Sequence, residues 1–216
     1  MRFSYVKLGP DAGANVRASF SSLIALTLLF SGCRARNEEA PARPQAKIES
    51  VFTSLDASSC KQEVAQNDPD GTPYLVCPGV EGYQLIVRQV DSGRTSIDIM
   101  DASRRVFPLN YQEFVTRRMF SLGRNAEWRV ASRDGKRVPI ALIVRVLAHE
   151  SNEEPEKVTQ TYFAVAKITP ERACVAARIS EGSEPETEVR SAADSGAGTN
   201  CLPPQPPMTA GGVLIR

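Results

Sequence analysis

His149 is the only histidine of the chain, and Glu150 stands beside it. An imidazole acts as a general base only with a nucleophile or a substrate proton within hydrogen-bond reach. No Gly-x-Ser-x-Gly elbow is present to present a serine to it, so His149 reads as a solvated loop residue. Glu153 and Glu154 pair two carboxylates in an acidic stretch, without the apolar surround that raises the pKa of a general acid. Neither Gly79-Val80-Glu81-Gly82 nor Gly196-Ala197-Gly198 falls between a strand and a helix, as a phosphate cradle must. A metal site is not expected either, since no Cys-x-x-Cys occurs and His149 would be its lone nitrogen ligand. The sequence therefore carries no catalytic constellation and no cofactor motif.

The residues that could bind rather than react are arginines. Arg117, Arg118, Arg124 and Arg129 are interleaved with Tyr111, Phe114, Phe120 and Trp128, and a guanidinium suits carboxylate or phosphate recognition. From residue 88 to 145 there are 12 Lys/Arg against 6 Asp/Glu, a net of +6. From 149 to 190 there are 9 Glu against 5 Lys/Arg, a net of −4. The whole chain is nearly neutral at +1, so nothing global asks for nucleic acid. An anionic glycan, a lipid headgroup or an acidic protein would suit a basic face. Asp194-Ser195-Gly196 resembles the aspartic-protease triplet in its three letters only. It follows Arg190-Ser191-Ala192-Ala193 rather than an apolar strand, and reads as a helix end with Gly196 near the C′ position.

Five cysteines are present, and the first of them sets the compartment. Arg17 precedes an apolar run through residues 23–30, which ends in Ser31, Gly32 and Cys33. The apolar stretch from 18 to 31 is shorter than the roughly 20 residues that span a bilayer. Ser31, Gly32 and Cys33 resemble the lipobox of bacterial lipoproteins cleaved by signal peptidase II, with Phe30 where Leu is usual. That resemblance implies that residues 1–32 are removed and that Cys33 becomes a lipidated first residue. Arg34 follows in place of the aspartate of an inner-membrane retention signal, which implies the outer membrane, facing the periplasm. In such an oxidising space the four remaining cysteines should pair. Three pairings are possible. Cys60 with Cys77 and Cys174 with Cys201 are expected, because each closes a short loop between predicted elements.

These residues must be carried by the remainder of the chain. At 42% hydrophobic and 24% charged it is an ordinary globular sequence. Residues 33–47 (lipidated cysteine and polar, Pro-containing tether) should lead into one globular domain over 48–202, with 203–216 a loose tail. Residues 48–55 are ambiguous between strand and helix. Asn67-Asp68-Pro69-Asp70-Gly71 is a turn cluster, and a short strand follows at 74–77. Residues 83–90 and 94–100 form a hairpin across Asp91-Ser92-Gly93, with Gly93 free to turn left-handed. Residues 105–107 extend that sheet until Pro108. Tyr111, Phe114, Val115, Met119 and Leu122 recur at near-helical spacing, which predicts an amphipathic helix capped by Gly123.

Residues 126–130 alternate, which points Trp128 inward. Arg133-Asp134-Gly135-Lys136 is a turn. Residues 138–147 (VPIALIVRVL) form a central strand buried on both faces. An acidic loop at 148–157 leads to strands at 159–168 and 172–179. Ser183-Glu184-Pro185-Glu186 has a capping-box pattern, which opens a short helix through about Ala193. The fold class is therefore α+β: a mostly antiparallel β meander with one or two short helices and two disulfides. Trp128, Val130, Ile140, Leu142, Val144, Val146, Phe163, Val165 and Val175 are its expected core.

Cys33, Tyr74 ahead of Cys77, Leu85-x-Val87 and Val106-Phe107-Pro108-Leu109 resemble the C-type lysozyme inhibitors, small envelope lipoproteins of disulfide-bonded β-structure. The likeness covers residues 74–109, and the inhibitors' loop motifs are missing, so no binding residue carries over. The function expected is a lipid-anchored envelope protein with a non-enzymatic binding or structural role, attached to the membrane by its anchor. An inhibitor of a host hydrolase and an unrecognised envelope hydrolase are the alternatives.

Overall fold

The computed structural model of the chain describes residues 47–64, 71–133, 135–182 and 186–206. The apolar run ending in Cys33, most of the tether, residues 67–70 of the turn cluster, Asp134, Ser183 to Pro185 of the capping box, and residues 207–216 lie outside them. Ten strands are described: β1 (Lys47–Ser54), β2 (Lys61–Val64), β3 (Pro73–Pro78), β4 (Gln84–Asp91), β5 (Arg94–Met100), β6 (Val106–Pro108), β7 (Phe120–Arg133), β8 (Lys136–Ala148), β9 (Gln160–Ile168) and β10 (Ala173–Ser180). Two α-helices accompany them, α1 (Tyr111–Phe114) and α2 (Glu186–Asp194). The strands form two antiparallel meanders, β2–β3–β4–β5 and β7–β8–β9–β10. A parallel pairing of Arg94 with Phe120 joins them, β1 adds to β7, and β6 adds to β5. The expected class is thus the observed one. So are both expected disulfides, Cys60–Cys77 and Cys174–Cys201.

Period-two alternation in β7, β8 and β9 separates two faces. On the inner face Trp128, Val130, Leu142, Val144, Val146, Ala164 and Val175 meet Cys77, Leu85, Val87, Ile97 and Ile99 of the first meander. Trp128 is fully buried. Its indole N–H donates to Thr53 Oγ1 at 3.0 Å, and its ring lies edge-on to Tyr83 at 6.3 Å. On the outer face Ala141, Ile143, Phe163 and Val165 are covered by Val189 and Ala193 of α2. The residues expected in one core are therefore divided between two. Ile140 belongs fully to neither, being only half-buried. The register shifts where Arg129 and Val130 face Ala141 and Pro139, so Ile140 is the extra residue of a bulge. A proline has no N–H to give a central ladder, and a bulge is where a sheet accommodates one.

The helix expected through Gly123 is a single turn. Asn110 enters α1 with a left-handed φ of 44°, and Tyr111 and Val115 are buried. Thr116 then accepts the Arg118 N–H on its Oγ1 at 3.1 Å, and the Phe120 N–H donates to the Gly93 carbonyl at 2.9 Å. That second bond hands the backbone to the sheet, so Phe120 and Leu122 belong to β7. Gly123 is not a helix cap but a close approach: a Cβ there would lie 3.0 Å from the Arg145 Cβ. Gly93 does not take the left-handed conformation expected of it. A Cβ on it would come within 2.8 Å of the Met119 Sδ, so the glycine serves the junction of the two meanders.

Segments beyond β10 are fastened down. The Leu202 N–H donates to the Val175 carbonyl at 2.8 Å, and the Gln205 N–H to the Glu113 carbonyl at 2.6 Å. Residues 203–206 of the stretch expected to be loose therefore run along α1. Among the described residues no helix is long and apolar enough to cross a membrane.

Candidate functional site

The residues that could have reacted are occupied. His149 Nδ1 lies 2.9 Å from the Pro155 carbonyl. Glu150 Oε1 accepts the hydroxyls of Thr116 at 2.7 Å and Tyr162 at 3.3 Å. Glu154 pairs with Lys157 at 3.2 Å. Among the described residues no cluster of His, Cys, Asp and Glu could hold a metal ion.

The four arginines singled out in the sequence go to four different partners. Arg117 donates from Nε and Nη2 to the Gln205 carbonyl at 3.0 and 2.7 Å. Arg118 reaches Asn152 Oδ1 at 2.6 Å. Arg124 grips Asp56 at 3.1 and 2.9 Å. The guanidinium beside Asp56 holds that carboxyl below its usual range and is itself pushed up. Arg129 is buried, and it bonds both carboxylate oxygens of Asp194 at 2.7 Å. An arginine shut under a helix presents no face to a partner, so Arg129 is a structural residue. Asp194, which opens the Asp-Ser-Gly triplet, is likewise spent on packing.

That ion pair is half of a crossed arrangement. Along β7 the outer face shows Glu127 and then Arg129. Along α2 the facing residues are Arg190 and then Asp194. Two positions on a strand are about 6.7 Å apart, and four on a helix about 6 Å. The two spacings match, so the opposite charges meet in register. Arg190 Nε donates to Glu127 Oε1 at 2.6 Å, and this bond pushes the Arg190 pKa up. Ser50 on β1 donates its hydroxyl to the same Glu127 oxygen at 2.5 Å and accepts from Arg129.

Beside this lock opens a groove of about 460 Å³. Ile143, Phe163 and Val189 form its apolar floor, and Phe52, 59% exposed, stands on its rim. Arg124, Arg145 and Arg190 bring three guanidiniums to it, and Glu127 and Glu186 bring two carboxylates. The Arg145 guanidinium lies over the Phe163 ring, 5.1 Å from its centroid. A second register shift, between Leu122 and Ala126, brings Gly123, Arg124 and Asn125 to the rim. Of the arginines picked from sequence, only Arg124 lines this groove. Phe52, Arg145, Glu186 and Arg190 were missed. Their signal was faint: Glu186, Arg190 and Asp194 recur at helical spacing, but a charged helix face ordinarily reads as solvated.

The groove is in the size range of small-molecule sites, and of the apolar residues named only Phe52 is exposed in it. No nucleophile with an adjacent base lines it. No protein-family model, no curated protein and no solved structure matches the chain.

Proposed function

We propose that the chain is a lipid-anchored protein of the bacterial envelope, held at the outer membrane through Cys33, whose folded domain binds a ligand without transforming it. The groove on the outer face carries the binding half of this reading, because it sets one exposed phenylalanine, Phe52, beside charged groups with no nucleophile among them. The anchor rests on the apolar run closed by Ser31, Gly32 and Cys33. Pairing of the other four cysteines into disulfides supports an oxidising compartment.

Metabolic labelling with an alkynyl fatty acid tests the anchor. The wild-type chain should take up label and sediment with membranes. Cys33→Ala should take up none and leave the membrane fraction. Label or membrane attachment persisting in Cys33→Ala overturns the anchor.

A further inference from the structure

Four strands, β1, β2, β6 and β10, have a paired neighbour on one side only. An open edge is a template for another strand, and proteins ordinarily blunt it by shortness, charge, a bulge or a covering segment. β2 has four residues, Lys61 and Glu63 among them, and β6 has three, the last a proline. β10 carries a register shift between Val175 and Ala177, and the Leu202 N–H donates to its Val175 carbonyl. β1 lacks these devices over most of its length. It has eight residues in unbroken register with β7, and Ser50-Val51-Phe52-Thr53-Ser54 holds neither a charge nor a proline. Its hydrogen-bonding phase is fixed just past its end, where the Leu55 N–H donates to the Arg124 carbonyl opposite at 2.8 Å. Alternate residues of an antiparallel strand bond the same neighbour. Glu49, Val51 and Thr53 therefore bond β7, while Ile48, Ser50 and Phe52 turn their backbone N–H and C=O groups outward. Among the described residues nothing bonds those outward groups. The Phe52 side chain stands beside them, 59% exposed.

We propose that this edge is a self-association surface, on which β1 of a second copy pairs antiparallel about a two-fold axis. Donors and acceptors that alternate along an extended backbone are met by another strand, and an identical strand brings the same outward set. Both edges are then closed at once. With the axis at Val51, Ser50 faces Phe52 of the second copy. Even-numbered residues face even-numbered ones, so both outer faces lie on the same side of the joined sheet. Phe52 then has Ile48 and Phe52 of the second copy as diagonal neighbours, within reach of an aromatic side chain. Like charges stay apart, since Lys47 falls opposite Leu55 and Glu49 opposite Thr53. Glu49 also brings its own counter-ion, Arg137 at 2.8 Å. Two paired strands of this length bury less than the roughly 1,000 Å² of a stable interface, so the dimer is weak and concentration-dependent. The pairing goes beyond the ligand reading and depends on neither the groove nor the anchor.

Amide hydrogen exchange and sedimentation of the oxidised full chain, from about 10 μM to about 1 mM, test this across the range of weak association. The Glu49, Val51 and Thr53 amides should be protected throughout. Those of Ile48, Ser50 and Phe52 should gain protection only as the dimer forms. Phe52→Lys places on the edge a charge of the kind that blunts natural edges, and should raise the dissociation constant about tenfold. Continued protection of Glu49, Val51 and Thr53 in that variant shows that its strand is still folded. Val64→Lys, at the 51% exposed valine of β2, should leave the dimer unchanged. A monomer at the highest concentration, or a dimer that Phe52→Lys does not weaken, overturns the proposal. So does a dimer in which the Ile48, Ser50 and Phe52 amides exchange freely, since it is joined elsewhere. Protection of those three amides in the monomer overturns it too, because a segment of the same chain then covers the edge.

Discussion

Strands β7, β8 and β9 show one face to the first meander and the other to α2, and the two faces are held by different forces. Trp128, Leu142, Val144 and Val146 face inward at zero exposure, and shape and apolar area decide what fits there. One residue away on the same strands, Glu127, Arg129 and Arg145 face outward, and α2 is placed over them by matching charges. The helix buries Val189 and Ala193 against the sheet. Apolar packing supplies most of the stability, while the crossed ion pairs decide where along the sheet the helix sits. A buried pair contributes little net stability, since desolvation offsets its attraction, but breaking one partner is costly.

Breaking the inner face should have the largest effect. Trp128→Ala removes the largest fully buried side chain and should lower the unfolding free energy by roughly 3–5 kcal/mol in urea titration. On the outer face Asp194→Ala strands the Arg129 guanidinium. Because Asp194 is 28% exposed, the loss should be about 2 kcal/mol, less than for a fully buried pair. The double variant Arg129→Met with Asp194→Leu should recover most of that loss while blurring the amide spectrum of α2. Recovery without blurring would show that apolar packing also fixes the position of the helix, and the contrast between the faces would vanish.

The smallest effect belongs to Asp101, in the turn between β5 and β6. Burial pushes its pKa up, but the Arg105 N–H and guanidinium and the Ser103 N–H outweigh this and hold it below the usual value. Those bonds are 2.9, 2.7 and 2.8 Å long. A carboxyl with a lowered folded pKa contributes stability that is complete above its unfolded value, near 4, and is lost as pH falls through the folded one. Urea midpoints from pH 5 down to pH 2.5 should therefore fall less steeply for Asp101→Asn than for the wild type. Parallel curves would remove Asp101 from the acid response.

What the sequence made legible follows the same division. Alternation around Trp128 and the apolar run at 138–147 announced the inner face, because burial leaves its period in adjacent residues. The hairpin at Asp91-Ser92-Gly93 and the disulfide pairing were legible for the same reason: short loops are local. Tyr111, Phe114 and Val115 misled, because helical spacing over a few residues does not reveal that the Gly93 carbonyl captures the Phe120 N–H. Of the groove only Arg124 was legible. Phe52, Phe163 and Val189 come from three distant elements, and the pairing of Glu127 with Arg190 spans 63 positions. Single charges in a sequence carry no sign of the partner that folding brings to them.

The disulfide from Cys174 to Cys201 closes a 27-residue loop that contains α2. Each end of the segment is thereby fastened beside the sheet the helix covers. If its ion pairs let go, α2 cannot diffuse away, and its effective concentration at the sheet stays in the millimolar range or above. Undocking is then a first-order, concentration-independent event that is quickly reversed. Reducing the bond would lengthen the excursions of the helix without altering one contact that it makes when docked.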